Sequence, residues 1–322
     1  MNTLKWLIRR ELWEHRGAFI LTPLVVAAVL VLLIGGGFIY AVSMSDGLHV
    51  QLNGNEIISV HGVPQPARQY LASVAASSYL TITSPLFLML PVVVFFYCLA
   101  ALYDDRRDRS ILFWKSLPLS DGHTVVSKAL VALVVAPLVT LAVGIAAALV
   151  LLVVGLLAGA ANGINVIAPV MANKNFYLSP LYLLSFMPVY IMWALPTVGW
   201  LLLVSSWAKS KVFLWAVGAP LLTLGLLAWF DFLMSRFAGL SLNFKWFGEQ
   251  VVARILGGLV PGVWFSGVDG ARMAQQHAGF DGPMLLGMSY ATLASPAVWI
   301  AAIAGCAMIA GAIRIRRWRD EG

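Results

Sequence analysis

Between Lys128 and Lys174 not one residue of this chain is charged, and most of the stretch is Ala, Leu, Val, Gly and Ile. A helix needs about 20 apolar residues to cross the roughly 30 Å hydrocarbon core of a bilayer, and this run exceeds that length. Composition agrees. Apolar residues make up 61% of the chain and charged ones 11%, with a mean hydropathy of +0.87, whereas soluble domains are about half apolar and a quarter charged. None of the apolar runs alternates with the two-residue period of an outer-membrane barrel strand. The sequence predicts an all-α integral membrane protein.

Six transmembrane helices are expected, at about 18–43, 79–103, 124–160, 180–207, 212–234 and 295–313. The third is long enough to tilt or to project beyond the bilayer. Orientation follows from the basic residues, which collect on the cytoplasmic side. One side holds Lys5, Arg9, Arg10 and Arg16, then Arg106, Arg107, Arg109, Lys115 and Lys128, then Lys209 and Lys211, then Arg314, Arg316, Arg317 and Arg319. The other holds only Arg68, Lys174, Arg236, Lys245, Arg254 and Arg272. Both termini are therefore expected in the cytoplasm, as an even number of spans requires. The same juxtamembrane bias accounts for the net charge of +7 without a nucleic-acid partner. Cys98 and Cys306 fall within spans and read as small packing residues.

Residues 1–17 read as an N-terminal amphipathic helix lying in the interface. Leu4, Leu7, Ile8 and Leu12 share one side; Lys5, Arg9 and Arg16 form a basic stripe, bordered by Trp6 and Trp13. Lys5, Trp6, Arg9, Trp13 and Arg16 are the expected anchors to lipid headgroups. Glu11 intrudes on the apolar side. The alternative is a basic leader that only sets topology. The first span reads as an uncleaved anchor, because its apolar core is about twice a signal-peptide h-region.

Two extracytoplasmic excursions are expected. Residues 44–78 contain Asn53-Gly54-Asn55 and Pro64-Gln65-Pro66, turn chemistry that favours a small ordered excursion over a helix. Residues 237–294, between helices 5 and 6, include Val251 to Phe265. That run is apolar but too short to span, and Gly257-Gly258 and Pro261 break it. A re-entrant or interfacial segment fits, as does a soluble cap. Gly155, Gly159 and Gly163 repeat at spacing four near one end of the third span, a row that lets helices pack closely. Pro137, Pro188 and Pro196 lie within spans, where proline kinks a helix or frees a carbonyl. No internal repeat is visible, and residues 1–322 read as a single transmembrane domain.

Chemistry is sparse. No acidic residue, Lys or Arg lies near the middle of a span, so the carboxylate relay of ion-coupled carriers is absent. The five histidines are scattered, and the chain has no H-E-x-x-H, no G-x-S-x-G and no P-loop glycine frame before Lys115-Ser116 or Lys209-Ser210. If ATP is used, another chain binds it.

The residues from Asp104 to Asp121, DDRRDRSILFWKSLPLSD, stand apart. A loop that only had to stay in water would not carry Ile111, Leu112, Phe113, Trp114 and Leu117. Asp104 with Arg107, and Asp105 with Arg109, are spaced for local ion pairs on a helix leaving the second span. Pro118 ends that helix, and Ser120 or Asp121 can cap the third span. Phe113, Trp114 and Leu117 would then face the cytoplasm beside Arg106, Arg109 and Lys115, the anchors a partner's pocket takes. The alternative is a loop whose aromatics fold back onto lipid headgroups.

This stretch resembles the signature of ABC-2 type transporter permeases: charges leaving the second span, Arg109-Ser110-Ile111-Leu112, Ser116-Leu117-Pro118-Leu119-Ser120, then Lys128 in the third. The N-terminal amphipathic helix, the six spans and the excursion between the last two are similar to that family as well. Asp108 runs directly into Arg109-Ser110 where many relatives have Gly-Thr, and the external loops are longer than in polysaccharide exporters. The resemblance implies that 104–121 is a cytoplasmic coupling helix, with Arg106, Arg109, Ile111, Leu112, Phe113, Trp114, Lys115, Leu117 and Pro118 seating on an ATP-binding subunit. It implies two copies of a cytosolic ABC ATPase that carry the ATP and Mg, with no cofactor and no catalysis in this chain. It also implies a second permease, identical or a sister chain, and a place in a bacterial cytoplasmic (inner) membrane. An uncharged path suits export of an amphipathic or lipid-like compound, such as a drug, a peptide antibiotic or a lipid. The other reading is a membrane scaffold or assembly factor that recruits a cytosolic protein through the same loop without transport.

Overall fold

The computed structural model describes residues 3–44, 50–52, 56–58, 65–108, 120–163, 165–238, 248–267 and 282–318. Six of its helices are long and apolar enough to cross a membrane: Gly17–Ala41, Tyr79–Arg107, Asp121–Ala161, Lys174–Trp207, Leu214–Phe237 and Pro296–Trp318, here spans 1 to 6. The N-terminal helix Thr3–Glu14 and the last turn of span 6 lie at the end of the bundle that also carries the exit of span 2 and the start of span 3. We call this the termini-bearing end.

Span 4 is the hub. Val189, Ala194, Val198, Leu201, Leu202 and Val204 are buried in the main core, where residues of spans 1, 2, 3 and 6 surround them. Its regular part begins at Met187, because the helix Lys174–Ser185 precedes it and stops at Phe186. Pro188 therefore sits in the first turn of a helix, where its missing N–H has no intrahelical partner to lose. Pro137 lies within span 3, directly after a widened π turn at Val131–Val135, and Pro196 is interior to the regular part of span 4, so two of the three prolines expected to kink stand inside a helix. Span 3 starts where expected, with the Ser120 hydroxyl accepting from the His123 N–H at 3.2 Å.

At the opposite end the sequence expectation for 44–78 needs correcting. Gln65–Ser78 is a helix, preceded by an antiparallel hairpin of β1 (Val50–Leu52) and β2 (Glu56–Ile58). The helix forms because Ala72, Ala76 and Leu71 supply an apolar stripe at helical spacing, which packs with Tyr79, Leu152, Leu156 and Val170 in a second core. Alanine-rich and weakly apolar, that stripe is less visible in the sequence than the flanking turn residues.

The segment between spans 5 and 6 breaks at the residues expected: the helical turn Ala253–Gly257 ends at Gly258, and a 3-10 turn, Val263–Gly267, follows Pro261. It lies against span 4. A side chain at Gly258 would collide with the Trp193 carbonyl, so only glycine permits the approach.

Candidate functional site

Glu11, which looked like a flaw in an amphipathic helix, is the first residue of a buried ionic cluster. It follows Leu7 by one helical turn, so the two share the face that the N-terminal helix packs against the protein, with Ile8 and Leu12 beside them. Its carboxylate is 1% exposed and lies 3.1 Å from Nζ of Lys128, itself 2% exposed, two turns into span 3. The Tyr97 hydroxyl of span 2 donates to the other carboxylate oxygen at 3.1 Å, and Arg10 closes on the first at 3.1 Å. His15 stands 3.9 Å away on the solvent side.

Lys128 also lies 3.7 Å from Asp105 on the last turn of span 2. The cluster then reaches the end of span 6, where Arg316 is 4% exposed. Its guanidinium grips Asp105 Oδ2 through Nη1 at 2.8 Å and Asp121 Oδ1 through Nε at 3.2 Å. Asp105 and Asp121 flank residues 109–119, so one arginine from span 6 clasps both stems of the loop.

Burying an ion costs several kcal/mol unless partners and hydrogen bonds replace its water. Here Glu11, Asp105 and Asp121 face Lys128, Arg316 and Arg10, the last of which also pairs with the exposed Glu14 at 3.4 Å.

Arg106, expected to face a partner, instead turns inward. It donates to the carbonyls of Ser205 at 2.7 Å and Ala208 at 2.8 Å, which closes the exposed end of span 4. Ser205 completes the join between spans 2 and 4: its hydroxyl donates to the Leu99 carbonyl at 2.8 Å and accepts from the Tyr103 N–H at 3.0 Å. Asp104 pairs with Arg107 as its spacing implied, at 3.9 Å on the surface. Arg109, Ile111, Leu112, Phe113, Trp114, Lys115, Leu117 and Pro118 lie outside the described residues, as does Asp105's expected pairing with Arg109.

Lys5, Trp6, Arg9, Trp13 and Arg16 are all exposed, on the side of the N-terminal helix away from the core. The glycine row behaves differently from expectation within this chain. Gly163 lies past the end of span 3 with φ +83°, and a side chain at Gly155 would meet no atom within 4 Å. Gly155 and Gly159 instead border an apolar cavity of about 430 Å³ beside Ile34, Gly35 and Phe38 of span 1. The close approach of two spans is elsewhere: a Cβ added at Gly199 would fall 2.5 Å from the Gly305 carbonyl oxygen, and one at Gly305 would fall 2.7 Å from that of Leu195. Spans 4 and 6 thus meet backbone to backbone.

A second cavity, of about 400 Å³, also lies toward the end of the bundle opposite the termini. Leu88 and Leu90 of span 2, Leu141 of span 3, Met187 and Tyr190 of span 4 and Trp264 of the broken segment all line it. The Tyr190 hydroxyl is buried and finds no hydrogen-bond partner among the described residues. Nor do three His, Cys, Asp or Glu side chains converge to hold a metal ion among them.

No protein-family model, no curated protein and no solved structure matches the chain. Its functional reading therefore rests on its own residues. They comprise a buried ionic cluster that binds the exit of span 2 and the start of span 3 to two other helices, and apolar cavities within the bundle.

Proposed function

We propose that the chain is the permease subunit of an ATP-driven exporter of ABC-2 type, working as a two-fold pair with two cytosolic ATPase subunits. The observation that carries this reading is the clasp of Asp105 and Asp121 by Arg316. A loop that receives force from a partner must have stems that do not yield, and buried ion pairs with fixed geometry provide that. In this reading residues 104–121 seat on the ATPase, closure of the ATPase pair on ATP moves spans 2 and 3 as rigid bodies, and both termini lie in the cytoplasm. Trp6 and Trp13, exposed beside Lys5, Arg9 and Arg16, then rest at headgroup depth. The cargo is amphipathic or lipid-like. The cavity walled by Leu88, Leu141, Met187 and Trp264 supports an apolar passenger and offers nothing to a charged one.

The test is the double variant Phe113→Ala, Trp114→Ala, with affinity capture of the tagged full-length chain from its native membrane. The expected result is a stoichiometric cassette ATPase with the wild-type chain and its loss with the variant, while membrane insertion is unchanged. Capture of a different cytosolic protein, with no ATPase activity, would replace this reading with that of a membrane scaffold.

A further inference from the structure

We infer that span 6 is a strut that ties the stems of the 109–119 loop to the broken segment 253–267 at the opposite end of the bundle, with Arg316 as the positioning residue. Three attachments along one helix carry this. At the termini-bearing end, Arg316 grips Asp105 and Asp121 at 2.8 and 3.2 Å, so span 6 cannot shift without moving the exit of span 2 or the start of span 3. In the middle, the Gly199–Gly305 crossing leaves no side chain between the backbones of spans 4 and 6, so no side-chain layer can absorb a displacement. At the far end, Arg254 Nη1 donates to the Ala297 carbonyl in the first turn of span 6 at 2.7 Å.

Arg254 fixes more than span 6. Its own carbonyl accepts from the Thr197 hydroxyl at 2.7 Å, and its guanidinium lies 4.7 Å over the Trp193 ring. Partial burial lowers the Arg254 pKa, yet guanidinium stays charged throughout the physiological range. The same segment supplies Pro261, Gly262, Trp264 and Phe265 to the 400 Å³ cavity. Movement of the loop stems is thereby transmitted from Arg316 to Ala297, over about 29 Å of helix at 1.5 Å per residue, to one wall of that cavity. This inference does not depend on the partner being an ATPase.

Hydrogen exchange on the full chain in phosphatidylcholine nanodiscs, read by mass spectrometry, tests it. Arg316→Gln removes the charge and leaves a shorter polar side chain that cannot span both carboxylates. The expected outcome is roughly tenfold faster exchange both in the stems, 104–108 and 120–124, and in 253–267, with the helix Gln65–Ser78 unchanged because its core excludes span 6. Arg316→Lys should restore part of the protection at both ends. Asp121→Asn, a milder change at a more exposed partner, should shift both ends in the same direction by less. Faster exchange confined to the stems would overturn the inference and make Arg316 a local tie. Faster exchange everywhere, the 65–78 helix included, would overturn it as well and make Arg316 a general stabiliser.

Discussion

Glu11 and Lys128, separated by most of the first three spans in sequence, form an ion pair at 3.1 Å with both side chains almost wholly shielded from solvent. The pair seats the N-terminal helix against span 3, and its energetics are asymmetric. Replacing both charges by apolar groups is tolerable; removing one leaves the other buried without its main partner.

Glu11→Ala is accordingly expected to destabilise the protein by about 3 kcal/mol, and Glu11→Met combined with Lys128→Met to recover most of that loss. Thermal unfolding of the purified chain in mild detergent checks both. If the double variant is as unstable as the single, the pair has a role beyond mutual neutralisation.

Gly199→Ala is expected to cost about 1 to 3 kcal/mol, because its Cβ would press on the Gly305 carbonyl and separate spans 4 and 6. Gly155→Ala is the contrasting case. With open space at that position, the change should be neutral or stabilise span 3 by up to about 1 kcal/mol. Comparing the two midpoints under one set of conditions decides whether close packing resides at the crossing or in the glycine row.

Tyr190→Phe removes a buried hydroxyl that has no partner among the described residues, so stability should hold or rise by about 1 kcal/mol. A fall of that size would mean that the hydroxyl is satisfied by a molecule in the cavity, and lipid extraction of the purified chain would then be the next step.

Ser205→Ala should lower stability by about 1 kcal/mol, since one hydroxyl serves the Leu99 carbonyl and the Tyr103 N–H and so joins span 2 to span 4. Ser206→Ala is the control, because among the described residues that hydroxyl bonds within its own helix, to the Leu203 carbonyl.

The spans were legible because hydropathy over some 20 residues is a local property, readable without knowing what touches what. The break at Gly257-Gly258 and the Ser120 cap were legible for the same reason, since each depends on neighbours in the chain. The cluster was not. Arg316 meets partners 195 and 211 residues away, and no local pattern marks that encounter. Its one sequence signal was the misfit of Glu11 on an otherwise apolar stripe, and a charge at an intended core position is worth reading as half of a pair. The crossing at Gly199 and Gly305 was hidden likewise, because each glycine stands alone in its helix, whereas the regular row at 155, 159 and 163 drew attention to a surface that touches little. The bonds of Arg106 to the carbonyls at the end of span 4 were not legible either, because a basic residue at a membrane boundary looks available for binding and those carbonyls lie 99 and 102 positions away.

Span 5 shares little surface with the rest of the chain, with only 6% of its apolar window buried. Two of its attachments among the described residues are the Trp200 indole N–H on the Ala216 carbonyl at 2.9 Å, and Trp207 beside Trp215 with ring centres 5.0 Å apart. Both sit near one end; further along, Leu224 approaches Gly248 of the segment before the break, and most of the helix surface stays exposed. During biosynthesis it must therefore leave the insertion machinery on its own hydrophobicity, as an independent passenger of the bilayer, while spans 2, 3, 4 and 6 can assemble around one another. A polar residue introduced on span 5 should thus appear as a failure of insertion, whereas the same change in span 4 should appear as misfolding after insertion.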